Sequence, residues 1–180
     1  ASGARYYWRA PYVQMSKDDG LTENSWSLLA DHNGLLVGTN QGLFNYQDGA
    51  FKSADSAAKI PGGVAYSLLR DSLNRLWVGS REGLAVYENK RWRTLDALQG
   101  QQVNSLVEAE RGDVLIAGSR GLHRWHNAEL KPLEGTEALI GQSVRTILQD
   151  QKQTIWLGTE NGLWQWREGN LSLVAEVPLS

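Results

Sequence analysis

Short apolar segments recur along the whole chain, each broken off by polar or glycine-rich turns after four or five residues. None keeps the 3.6-residue period of an amphipathic helix, and several alternate strictly, as in Leu163-Trp164-Gln165-Trp166. Such lengths and alternation predict strands. The segments fall into a repeat. A Gly-Leu pair with an aromatic residue three places after the Leu occurs four times, as Gly42-Leu43…Tyr46, Gly83-Leu84…Tyr87, Gly121-Leu122…Trp125 and Gly162-Leu163…Trp166. The glycine spacings are 41, 38 and 41. Before each pair stands an apolar phrase closed by Gly and a small hydroxyl residue: LLVGT, LWVGS, LIAGS and IWLGT. Further upstream lie SLLAD, SLLRD, SLVEA and TILQD, and nine residues after each glycine stands Phe51, Trp92, Leu130 or Leu171.

Each unit of about 40 residues therefore holds four strand-sized segments with turn signals between them, which is the arithmetic of a β-propeller blade. The expected fold is all-β, with four-stranded antiparallel sheets over residues 21–63, 64–102, 103–143 and 144–180, all within one propeller domain or segment, 1–180. Residues 12–20 read as an outer strand of a preceding blade. With Leu171–Val174 already supplying a fourth strand to the last unit, the four repeats read as blades of a larger ring rather than a closed small one. If the ring is open, its terminal blades present apolar faces and strand edges through which two chains could pair.

Composition follows from the repeat. The 19 Gly and 8 Trp are one turn and one space-filling ring copied from unit to unit. The Gly-Leu glycine and the glycine ending the second strand suit positive φ or close backbone approach. Eighteen basic against 20 acidic residues leave no bulk positive charge for nucleic acid, and no apolar run is long enough to span a bilayer. Zero cysteines exclude disulfides and thiolate chemistry.

The phrases ILQDQKQTIWLGTENGLWQW and LLRDSLNRLWVGSREGLAVY, with Lys17-Asp18-Asp19-Gly20-Leu21-Thr22 ahead of the first repeat, resemble the two-component regulator propeller repeat. The third unit departs from it, with Ala109 in place of the repeated Asp and Leu115 in place of Trp. The resemblance implies the extracytoplasmic, periplasmic or extracellular sensing part of a bacterial signal-transduction protein. Such a part binds a ligand and has no catalysis of its own, whatever output domain the parent carries.

Catalytic signals are weak. Ser67, Ser105 and Thr146 recur at one repeat position, as fold-forming residues do, and Asp31, Asp71 and Asp150 are placed to bond the N–H groups of the following turn. His123 and His126 sit on one strand at a spacing that turns them to opposite faces, so no metal site is expected. No cofactor is expected either. Recognition remains, and the residues to watch are those where the copies differ on the face shared by the second-to-third-strand turns and the blade-to-blade connections. These are Asn40 and Gln41, Arg81 beside Glu82, Arg120, Glu160 and Asn161 in the turns, and Asn24, Tyr66, Asn104 and Arg145 at the starts of the units. The three arginines suit a carboxylate, phosphate or sugar acid, and Trp26 or Tyr66 could stack on a sugar. A glycan or an organic acid is the expected ligand. A protein-binding scaffold without a small ligand, and a propeller lyase or glycosidase, are the competing readings.

Overall fold

The computed structural model describes residues 24–31, 34–54 and 60–176. The strand expected at 12–20, the Lys17–Thr22 segment and His32 lie outside these residues. Among these described residues, sixteen strands form four separate four-stranded antiparallel sheets, each made of strands consecutive in sequence. Blade 1 holds β1 (Ser25–Asp31), β2 (Gly34–Thr39), β3 (Gly42–Gln47) and β4 (Ala50–Ser53). Blade 2 holds β5 (Ala65–Arg70), β6 (Leu76–Ser80), β7 (Gly83–Glu88) and β8 (Arg91–Thr94). Blade 3 holds β9 (Val103–Glu110), β10 (Asp113–Gly118), β11 (Gly121–His126) and β12 (Glu129–Pro132). Blade 4 holds β13 (Val144–Gln149), β14 (Ile155–Thr159), β15 (Gly162–Arg167) and β16 (Asn170–Glu176). Single 3₁₀ turns at Asp96–Leu98 and Glu137–Leu139 lie in the connections after blades 2 and 3.

The first strands are innermost: β1 packs on β5, β5 on β9 and β9 on β13. Among the described residues β13 does not pack back on β1 in the same way. The blades form an arc.

Local chemistry explains the hairpins. In each Gly-Leu pair the glycine has positive φ, from 99° at Gly42 to 147° at Gly162, a conformation that a side chain would strain. The glycine ending the second strand has a different reason. A Cβ on Gly79 would lie 2.2 Å from Ser67 Oγ and 2.6 Å from Val103 Cγ1, so the glycine admits the next blade's inner strand. The third-to-fourth-strand turns place two successive residues in the left-handed region, as Asn89 and Lys90 at 50° and 62°. That geometry matches the twist of the hairpin. Across it the repeated aromatic meets the residue nine places after the glycine: Tyr46 pairs with Phe51 and Tyr87 with Trp92, rings 4.9 and 5.2 Å apart.

The repeated Asp holds its turn. Asp71 accepts from the backbone N–H of Leu73 and Arg75 at 3.0 and 2.8 Å, from Arg75 Nε at 2.5 Å and from Trp77 Nε1 at 2.7 Å. Asp150 accepts in the same way from Lys152, Thr154 and Trp156. Chiefly the Trp156 indole N–H, with the two backbone N–H groups, holds the Asp150 carboxyl below its ordinary range. Counted back from Gly121, Leu115 stands in the Trp place and Ala109 in the Asp place. Blade 3 has thus lost donor and acceptor together, which leaves neither unpaired.

The core lies between blades. Leu36 and Leu43 of blade 1 meet Ala65, Leu76 and Val78 of blade 2. Trp77, Leu84 and Val86 meet Val103, Val114, Ile116 and Trp125 of blade 3. Leu115, Ala117 and Leu122 meet Val144, Ile147, Ile155 and Leu157 of blade 4.

Candidate functional site

Each inner strand carries a register irregularity against its neighbour at the same repeat position in all four blades, and β9 has a second one at Ala109. The pairing skips Trp26 between Ser25 and Ser27, Tyr66 between Ala65 and Ser67, Asn104 between Val103 and Ser105, and Arg145 between Val144 and Thr146. A bulge leaves its extra residue unpaired and re-aims its side chain. The residues on either side repeat, as small or branched apolar before and Ser or Thr after. The bulged residues do not: an indole, a phenol, an amide and a guanidinium stand at one end of the four innermost strands.

These side chains touch the neighbouring turns of the same end. The Trp26 indole N–H donates to Asn40 Oδ1 at 2.6 Å, and its ring meets the Tyr66 ring edge-on, centroids 5.4 Å apart. Trp26 is 51% exposed, so an aromatic surface faces solvent there. Asn104 Nδ2 donates to the Val144 carbonyl at 2.8 Å and its Oδ1 accepts from Gln102 Nε2 at 2.8 Å, which fixes the amide across the gap between blades 3 and 4. Arg145 forms an exposed ion pair with Glu160. Asn161 donates to Gln142 Oε1 at 3.1 Å.

Of the residues expected at this end, Tyr66, Asn104 and Arg145 share the bulge position. Trp26, rather than Asn24, completes the set. Asn24 precedes β1 and is exposed, and only the strand register separates the two. Asn40 and Gln41 form the β2–β3 turn, with the Gln41 N–H bonded to Thr39 Oγ1 at 3.0 Å. Arg81 and Glu82 form the β6–β7 turn, where the Glu82 N–H bonds Ser80 Oγ at 3.3 Å; both side chains are exposed. Arg120 is exposed in the β10–β11 turn and makes no hydrogen bond or ion pair among the described residues.

The other end carries a different cluster. Asp113 bonds Arg124 Nε at 3.1 Å and His126 Nδ1 at 2.7 Å, and Glu110 lies 3.9 Å from Arg124. Burial pushes the Asp113 carboxyl up, but the bonds from Arg124 and His126 outweigh it and hold the group below its ordinary range. His126 is thereby tied to Asp113, whereas His123 lines a cleft with Arg120. The two histidines serve separate places. No group of three metal-ligating side chains occurs among the described residues.

Two segments, residues 59–82 and 138–161, match the model of the two-component regulator propeller family. Among solved structures, the extracellular domain of the one-component system BT4673 from B. thetaiotaomicron is similar, at 26% identity and a TM-score of 0.65 over 81% of this chain and 22% of that one. The extracellular domain of the hybrid two-component system BT3049 from B. thetaiotaomicron matches at 17% identity and a TM-score of 0.70, over 87% of this chain and 22% of that one. Virginiamycin B lyase from Staphylococcus aureus shares the fold at 13% identity and a TM-score of 0.62, over 86% of this chain and 56% of that one. The chain thus spans about a fifth of the length of the two extracellular domains. No curated protein matches it.

Proposed function

Since the chain carries two-component regulator propeller repeats, we propose that it is a non-catalytic, ligand-sensing propeller segment of the extracytoplasmic part of a bacterial signalling protein. One observation carries the reading. The four bulged residues stand at structurally equivalent places on the inner strands, and they change from aromatic to amide to cation around the arc. The exposed Trp26 indole and the half-buried Tyr66 phenol offer a stacking face for a sugar ring. The Asn104 amide and the Arg145–Glu160 pair add polar contacts for hydroxyl or carboxylate groups. A glycan or an organic acid fits that combination. The likeness to the lyase concerns the fold, and fold does not carry reaction chemistry. No helix among the described residues is long and apolar enough to cross a membrane.

Thermal unfolding against a panel of acidic and neutral oligosaccharides and organic acids tests this. A ligand in hundredfold excess over its Kd stabilises by about 2.7 kcal/mol, a rise of several degrees. The rise is expected to vanish in Tyr66→Ala and in Arg145→Ala. A panel without any rise, or a rise kept in both variants, overturns the reading.

A further inference from the structure

Two clefts open at the bulge-bearing end of the arc, on blades 2 and 3, and they are copies of each other. The blade 2 cleft, about 550 Å³, is walled by Ile60, Pro61, Gly83, Leu84 and the segment from Thr94 to Gly100. The blade 3 cleft, about 750 Å³, is walled by Gly100, Gln101, Leu122, Pro132, Thr136 and Ile140. In each, a second-to-third-strand turn and the start of the third strand form one side, and the connections before and after the blade form the other. None of the four bulged residues lines either cleft.

Their chemistry is opposite. Counted from the Gly-Leu pair, Glu82 of blade 2 corresponds to Arg120 of blade 3, and Ala85 to His123. The blade 2 cleft is acidic, with Glu82 and Asp96. The blade 3 cleft has a guanidinium and an imidazole. Blades 1 and 4 have Gln41 with Phe44 and Asn161 with Trp164 at these places, so the combination of Arg and His is particular to blade 3.

Neither side chain is used by the described part of the fold. Arg120 and His123 make no hydrogen bond or ion pair among the described residues. The nearby polar groups are committed: Thr136 Oγ1 donates to the Leu133 carbonyl, Ser119 Oγ accepts from the Gln102 N–H, and Gln101 Nε2 donates to the Ala97 carbonyl. Around the two free groups the wall is apolar, from Leu122, Pro132 and Ile140, the last 66% exposed.

From this placement we infer that the blade 3 cleft is a second binding site, for a small organic anion that joins a carboxylate to an apolar body. The Arg120 fork takes both carboxylate oxygens, the geometry in which guanidinium is strongest. His123 is half-buried, and burial lowers its pKa, so it serves as a neutral hydrogen-bond partner and adds no second full charge. The apolar body lies on Leu122, Pro132 and Ile140, which excludes water from the ion pair. A compact inorganic anion would leave that wall unused, and an uncharged amide would leave Arg120 without its counter-charge.

Titration calorimetry and amide-shift mapping on the full chain, with sodium benzoate, sodium hexanoate, benzamide and inorganic phosphate as probes, test the inference. A carboxylate probe should bind and shift amides of Ser119–His123 and Ile140. Benzamide and phosphate should bind roughly tenfold weaker or not at all. Arg120→Ala should weaken the carboxylate by roughly tenfold, and His123→Phe by less, both at an unchanged melting temperature. Tyr66→Ala and Arg145→Ala should leave it unchanged, which separates this site from the one at the inner strands. Equal binding of benzoate and benzamide overturns the inference. So does full binding by Arg120→Ala, loss in Arg145→Ala, or no binding of either carboxylate up to about 20 mM.

Discussion

Blades 2 and 4 are written in almost the same phrase and end in different physical states. In blade 2, Trp77 is fully buried, bonded to Asp71 and set against Trp125 of blade 3 with ring centroids 5.6 Å apart. In blade 4, Trp156 makes the same bond to Asp150 but is only half-buried. Its cross-strand neighbour Leu148 is 63% exposed, whereas Leu69 beside Trp77 is partly covered. The repeat builds each sheet with two apolar faces because a blade is meant to lie between two others. Blade 2 has both neighbours. On blade 4 the face carrying Leu148, Trp156 and Leu163 has none among the described residues. The local hydrogen bonds form in either case; the burial needs a partner sheet.

The sharpest way to break this comparison is to truncate the two tryptophans. Trp77→Ala should cost about 3–5 kcal/mol, and Trp156→Ala about half of that, read from urea unfolding. Equal costs would mean that blade 4 is covered as fully as blade 2. A smaller contrast is expected at the strand-end glycines. A Cβ at Gly79 meets Ser67 and the next blade's Val103, while at Gly158 it meets only Thr146 Cγ2, at 2.7 Å. Gly79→Ala should cost about 1–3 kcal/mol, with Gly158→Ala at the low end of that range or below it. The smallest effect concerns acid. Asp113 of blade 3 has its folded pKa below the ordinary 3.8. Its stabilisation is therefore present above that value and is lost as pH falls through the folded pKa. Asp113→Asn should flatten the decline of melting temperature between about pH 5 and pH 2.5. Asp150→Asn, in blade 4, should act in the same direction. An unchanged slope in Asp113→Asn would mean that Arg124 and His126 do not hold the carboxylate in solution.

Much of this was legible in the chain. The Gly-Leu spacing located the second-to-third-strand hairpin of every blade, because positive φ at that turn tolerates little else. The repeated Asp was readable as a turn ligand because its partners lie within six residues of it. The substitutions at Ala109 and Leu115 showed that blade 3 departs from the others, but the reason, an Asp–Trp bond dropped as a unit, needed the register. The inner-strand end was only partly readable. Tyr66, Asn104 and Arg145 stood out as differences between copies. Their counterpart in blade 1 is Trp26, which the sequence offered as a stacking ring, while Asn24 was read as the residue equivalent to Tyr66, Asn104 and Arg145. Each of these bulges falls immediately before the apolar phrase of its strand, so the apolar pattern does not mark it. His123 shows the same gap. As one of two histidines on a strand it suggested only that they could not share a metal. Its meaning came from Arg120 across a cleft, and from the Ala85 that stands in its place one blade earlier.

By itself the sequence determined the strands, the turns and their fourfold repetition, because these rest on interactions a few residues apart: a glycine's φ, a carboxylate on the next turn, an aromatic pair across a hairpin. The tertiary structure decided which equivalent positions are buried, which bulges bring an indole, a phenol, an amide and a guanidinium to one end, and which cleft carries a cation unpaired among the described residues. Those outcomes depend on one sheet covering the next, and residues about forty apart meet only when the blades stack.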